Sequence, residues 1–198
     1  MASALIYDPK AHQGFEQEWR AHHNCTDMWV IQGIVNEALL PESVYSYRAS
    51  VERFHAGGKT FCSVDFFLGE LLHAKSFEYH FHIRNDKDGP EVLYLDEDSL
   101  LFQDALQVLY EQDALALRLR DVSFGLDLRL DRTVEPYWYG GDGPLKLRSG
   151  NKTLFGCVLP FMKSVGRLYF SDYSMRVQGR SSFERLWGRF PFQQASMH

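Results

Sequence analysis

Ala114 to Arg120 alternates without a break, with Leu115, Leu117 and Leu119 on one side and Ala116, Arg118 and Arg120 on the other. Ser123 to Leu130 repeats the pattern, placing Phe124, Leu126, Leu128 and Leu130 on a common face. Successive side chains of a strand point to opposite faces, so a period of two gives a half-buried strand. Similar runs span Met28 to Ala38, Val44 to His55, Thr60 to Leu68 and Lys75 to Arg84, and resume at Thr153. Ala56-Gly-Gly-Lys59 and Asn85-Asp-Lys-Asp-Gly-Pro90 separate them as turn signals. Sequential short strands with turns between them indicate an all-β sandwich or barrel. The hairpin order favours an antiparallel up-and-down β-barrel of about eight to ten strands, which closes its own edges.

Three segments break the pattern. Residues 8–23 are polar and read as a short helix or an irregular lead-in. In residues 97–111, Leu100, Leu101, Ala105, Leu106, Val108 and Leu109 fit a helical face or short strands, with a turn and a strand preferred. Asp131 to Asn151 is loop-rich and holds Pro136, Gly140-Gly-Asp-Gly-Pro144 and Gly150. The expected division is a lead-in over 1–27, a barrel over 28–190 and a tail over 191–198.

A barrel of this size can enclose an apolar ligand, and a chain with 15 Phe and 10 Tyr can line such a pocket. The net charge of −5, with no basic patch, argues against a nucleic-acid partner or an anionic membrane surface. Cys25, Cys62 and Cys157 are too scattered for a disulfide framework or a metal site. With no signal-peptide pattern and no apolar run of membrane-spanning length, a soluble cytoplasmic chain is expected. The sequons at Asn24 and Asn151 then read as chance matches.

Few residues suggest chemistry. In Phe77 to Arg84, Phe77, Tyr79, Phe81 and Ile83 share one face, and Glu78, His80, His82 and Arg84 the other. His-x-His is a metal-ligand spacing, but the further ligands are missing, so this polar face meets solvent or lines a cavity. Asp65 is a lone carboxylate in the apolar run Phe61 to Leu68. Either it pairs with Arg48 or Arg53 of the preceding strand, or it acts as an acid or orients a ligand with a raised pKa. Gly140 to Gly143 lacks the context of a phosphate loop. His12, His22 and His23 with Glu16 and Glu18 read as a solvated segment. No metal or cofactor is expected.

Tyr169-Phe-Ser-Asp-Tyr-Ser-Met-Arg-Val-Gln-Gly179, followed by Arg180-Ser-Ser-Phe-Glu-Arg-Leu-Trp-Gly188, resembles the closing signature of the hydroxyneurosporene synthase (carotenoid hydratase) family. Asp27-Met-Trp-Val-Ile-Gln-Gly33 is similar to that family's first strand, and Tyr45 to Arg53 to its second. Phe61-Cys-Ser-Val-Asp65 and the loop from Pro136 to Gly143 also fit. Ser182 stands where the signature has Trp, and Glu184 where it has Asp. The resemblance implies a lipocalin-like, calycin-like barrel, usually followed by a second one, with hydration, cyclisation or isomerisation of hydrophobic natural products as known activities.

The expected function is therefore binding of a hydrophobic small molecule in the barrel, as a hydratase, lyase, isomerase or cyclase, or as a non-catalytic carrier or sensor. Such chemistry needs an acid in a water-limited pocket. Asp65 is the first candidate and Glu184 the second, with His80 and His82 orienting water or relaying a proton. Trp29, Tyr47, Arg53, Phe67, Tyr79 and Tyr169 are the candidate ligand-binding residues. The third expectation is an interaction surface near Trp187 and Phe190-Pro-Phe192, docking a second barrel or a second copy of the chain.

Overall fold

The computed structural model describes residues 15–19, 21–22, 25–56, 59–72, 75–85, 93–95, 99–102, 105–139, 145–146 and 153–189. One helical turn, α1 (Phe15–Glu18), precedes the strands β1 (Thr26–Glu37), β2 (Val44–Ala56), β3 (Lys59–Glu70) and β4 (Lys75–Asn85). Then follow β5 (Leu93–Leu95), β6 (Ser99–Phe102), β7 (Leu106–Glu111), β8 (Ala114–Arg120) and β9 (Phe124–Asp131). The two-residue strands β10 (Tyr137–Trp138) and β11 (Leu145–Lys146) lead to the long hairpin β12 (Thr153–Phe170) and β13 (Ser174–Arg189).

All of them join one antiparallel sheet of 13 strands in the order β4-β3-β2-β1-β13-β12-β9-β8-β7-β6-β5, with β10 and β11 branching from β12. The count exceeds expectation because β5, β10 and β11 are short pairings, β10 and β11 inside the loop-rich stretch 131–151 and β5 between the expected turn at 85–90 and the ambiguous run from 97. Both ambiguous runs of 97–111 are strands, β6 and β7, with Ala105 in the turn between them.

The sheet curls into a half-barrel around one core, and the alternating patterns decide which face lies inside. On β8 and β9, Leu115, Leu117, Leu119, Phe124, Leu126, Leu128 and Leu130 are all buried. On β3, Cys62, Val64, Phe66 and Leu68 take the inner positions. Phe66 and Phe77 meet Phe124 across the interior at 5.4 and 5.3 Å between ring centroids. At the opposite end α1 closes against β7 and β13, where Phe15 and Trp19 each lie 5.4 Å from the Phe183 ring. The lead-in is thus part of the core, since an apolar face this large is most stable when covered.

Two features shape the middle of the sheet. Gly179 and Gly166 sit where neighbouring backbones come too close for any side chain: a Cβ would collide with the carbonyl oxygen of Ile34 or of Asp127. Beside them β12 slips register between Leu159 and Met162, and Phe161 in this bulge has a φ of 59°.

Candidate functional site

All four tryptophans gather at the α1 end of the half-barrel. Inward-facing Trp29 on β1 and Trp187 on β13 are 2% and 1% exposed, and Trp19 is 0% exposed. Trp29 Nε1 donates to the Trp19 carbonyl at 3.0 Å, and Trp138 stands edge-on to Trp187 at 6.5 Å. Trp187 also stacks on Phe155 at 6.0 Å and on the His22 ring at 4.7 Å.

Inside this aromatic wall lies a charged cluster. The β1–β13 register sets Trp29 opposite Arg185 and Asp27 opposite Trp187, while β2 brings Arg53 opposite Asp27. Arg185 and Asp27 are both fully buried. Arg185 donates Nη2 to Asp27 Oδ1, Nε to the Glu18 carbonyl at 3.0 Å and Nη1 to the Leu186 carbonyl at 2.6 Å. Its guanidinium carbon lies 4.1 Å from the Trp29 ring centroid. Asp27 further accepts from Arg53 Nη1 at 3.2 Å and from the His22 backbone N–H at 3.2 Å. The His22 ring joins two carboxylates, Nδ1 to Asp27 Oδ1 at 3.0 Å and Nε2 to Glu18 Oε2 at 3.0 Å. Its Nδ1 also lies 3.0 Å from Arg185 Nη2.

The protonation states follow from these contacts. Burial alone would raise the Asp27 carboxyl, but the His22 hydrogen bond and the Arg185 charge outweigh it and hold Asp27 below its usual range. Asp27 is therefore an acceptor, not a proton donor. Burial pulls the Arg185 guanidinium down, opposed by Asp27.

A second polar group lies midway along the interior. Tyr47 Oη and Ser181 Oγ hydrogen-bond at 2.5 Å, and Ser181 hydrogen-bonds in turn to Ser164. Burial raises the Tyr47 phenol, so it stays protonated.

The structure divides the residues singled out in the sequence. Trp29, Tyr47 and Arg53 come together on the inner face. Asp65 stands on the outer face, because Val64 and Phe66 claim the inward positions on either side of it. There it meets neither Arg48 nor Arg53 but His80, whose Nδ1 lies 2.7 Å from Asp65 Oδ1. That hydrogen bond raises the pKa of His80. Glu184 is also outward and accepts from the Tyr139 hydroxyl at 2.5 Å. Tyr169 faces outward and donates to Asp127 at 3.0 Å, and Phe67 is exposed on the same outer face. His82 pairs with Ser63 and Tyr79 with Phe66 along the β3–β4 ladder, but their side chains lie outside the described residues. So do Gly140 to Gly143, Phe190 to Phe192, His12 and His23. Trp187 is interior, not an exposed edge, and Glu18 and His22 belong to the buried cluster, not to a solvated segment. No group of three or more metal-ligating side chains occurs among the described residues, and no helix among them is long and apolar enough to cross a membrane.

Glu18, His22, Asp27 and Arg185 were not singled out as site residues by sequence. One signal was available: Arg185 falls between Phe183 and Trp187 in the inward phase, where a charge needs a buried partner.

The fold is lipocalin-like. A protein from Nitrosomonas europaea provisionally named ATTH superposes with a TM-score of 0.79 at 15% identity, covering 91% of this chain and 57% of its own. Kievitone hydratase from Nectria haematococca superposes with a TM-score of 0.65 at 13% identity, covering 96% of this chain and 55% of its own. The chain thus spans little more than half the length of either. No protein-family model matches the sequence, and no curated protein does.

Proposed function

We propose that the tryptophan-lined end of the half-barrel binds an apolar small molecule and that the protein is a hydratase-like enzyme acting on it. The observation that carries this reading is the Trp19 indole. Its Nε1 is buried without a hydrogen-bond partner among the described residues, and a buried donor left unmet costs about 1–3 kcal/mol. A ligand oxygen there would satisfy it, with Tyr110 and Phe183 as the adjoining aromatic wall. The likeness of fold to kievitone hydratase and the hydroxyneurosporene synthase-like motifs at Trp29, Gly33 and Trp187 support the same reaction class.

Hydration adds a proton to one carbon of a double bond and the oxygen of water to the other, the water releasing a proton in turn. His22 is the group placed to exchange these protons, since its ring connects Asp27 and Glu18 and its side chain is 19% exposed. Asp27 and Arg185 fix its orientation. The outward Asp65–His80 pair is a carboxylate–imidazole pair on the other face, without contact to this cluster among the described residues.

A carrier reading uses the same aromatic wall and is favoured by one observation: Asp27 is held ionised and cannot serve as an acid. Native mass spectrometry of protein from its source cells, with extraction of bound molecules, tests both. A bound polyene or polyketide that gains one water in wild type and remains unchanged with His22→Gln supports the hydratase. Unchanged ligand in both proteins leaves only the carrier, and the same water gain in H22Q sinks the role given to His22.

A further inference from the structure

On the outer face, behind the Tyr47–Ser181 pair, β1, β2 and β13 form the floor of a depression of 480 Å³ that the bulge of β12 borders. We propose that it binds a small carboxylate with a planar apolar body, the anion held by Arg180 and the body against Phe161, Pro160 and Ile34. The proposal stands independently of the interior site.

The apolar part is built at a cost in backbone conformation. Phe161 has a φ of 59°, which is an outlier for an aromatic residue and costs on the order of 1–3 kcal/mol. The Thr133 hydroxyl holds this turn by donating to the Phe161 carbonyl at 2.6 Å. The strain does not bury the ring, which is 65% exposed, beside Ile34 at 51%. Sheets more often place polar side chains on such a face. A strained segment displaying an aromatic ring at the edge of a concavity is the arrangement found in ligand clamps.

The charged part follows from the register. Arg180 lies directly across from Ile34, and Ser46 lies on the other side of Ile34. Arg180 makes no ion pair among the described residues. The nearby carboxylates are engaged elsewhere, Asp131 with Arg129 at 2.8 Å and Glu184 with the Tyr139 hydroxyl. Arg48, in the next row beside Gln32, is likewise unpaired among the described residues and adds positive charge. A guanidinium fork matches a carboxylate with two parallel hydrogen bonds. The volume falls in the range of small-molecule sites.

The test is an amide-shift titration of 15N-labelled protein with 2-naphthoate, and with 2-naphthamide as the neutral analogue. Shifts concentrated at Gln32, Ile34, Ser46, Phe161 and Arg180 are expected. R180Q, which removes the charge and the two-pronged fork, should weaken 2-naphthoate by about tenfold or more and leave 2-naphthamide unchanged. F161G, whose glycine accepts the positive φ, should weaken both. Shifts centred on inner positions such as Leu117 and Leu128, equal naphthoate affinity in R180Q, equal loss of both molecules in R180Q, unchanged binding in F161G, or no shifts at all would overturn the proposal.

Discussion

Arg185 and Trp29 face each other across the β1–β13 pair, with the guanidinium carbon 4.1 Å from the ring centroid and neither residue more than 2% exposed. A cation removed from water this completely depends on its partners. The indole face contributes on the order of 2 kcal/mol when desolvated, and Asp27 supplies the opposite charge. Buried pairs of this kind add little net stability over apolar residues of equal volume, yet breaking one side alone is costly.

Arg185→Leu should therefore destabilise the fold by about 3–5 kcal/mol, because it takes away the fully buried cation that faces the Asp27 carboxylate and leaves it only Arg53 and the His22 hydrogen bonds. Asp27→Asn should also be destabilising, and the double variant should lose much less than the sum. Urea denaturation of all four proteins checks this as a double-mutant cycle. Strict additivity would mean that the two side chains are not coupled.

The same pair sets an acid limit. The folded-state pKa of Asp27 lies below its ordinary value of 3.8. Its stabilising contribution is therefore present above that value and is lost as the pH falls through the lower, folded-state one. Wild-type stability should decline more steeply across that window than that of Asp27→Asn, which cannot titrate there. Equal slopes in urea midpoints measured from neutral to acid pH would contradict the assignment.

In the middle of the interior, Tyr47→Phe leaves the Ser181 and Ser164 hydroxyls with only each other. A loss of about 1–3 kcal/mol is expected, and Tyr47→Phe should cost little more when Ser181 is already alanine, because the phenol it removes has then lost its Ser181 partner. Thermal melts of the single and double variants decide between this and two independent losses.

Gly179→Ala is expected to destabilise by at least the upper part of the 1–3 kcal/mol range typical of overpacking, since its new methyl would meet the Ile34 carbonyl oxygen, a backbone atom with little room to move. Comparable chemical-denaturation midpoints for wild type and G179A would show that the sheet can relax there.

The thiols should separate by reactivity. Burial pushes Cys157 up to about 12 and Cys62 up to about 11, whereas Cys25 is partly exposed. A thiol-exchange reagent should label Cys25 first in native protein and the other two only on unfolding. Fast labelling of Cys157, read by peptide mass mapping, would refute its buried placement.

Most of the sheet could be read from the chain because its strands alternate cleanly. The bounds of β8 follow directly from Leu115, Leu117 and Leu119, and β2, β3 and β4 differ from expectation only at their ends. The pattern on β3 is different. Phe61, Ser63, Asp65 and Phe67 form one alternating set and Cys62, Val64, Phe66 and Leu68 the other, and both contain enough apolar residues to pass for a core face. Cross-strand packing selected the second set and turned Asp65 outward. The site was less legible still. Its charges come from α1, the stretch after it, β1, β2 and β13, and Glu18 and Arg185 are 167 residues apart. Such distant groups share no local period, and a polar lead-in gives no sign that Phe15 and Trp19 will be buried.

The β1–β13 pairing, which joins Thr26 to Gly188, also sets an order of events during synthesis. β1 can pair with β2 soon after both emerge, but its other edge must wait until β13, which begins at Ser174, has been translated. At about 5–20 residues per second that interval is on the order of ten seconds or more. Throughout it, a long strand edge carrying Trp29, Val30, Ile31, Ile34 and Val35 is open to other nascent chains. Shielding of that edge, by a chaperone or by rapid local collapse, would then govern how much of the protein reaches its folded form in the cell.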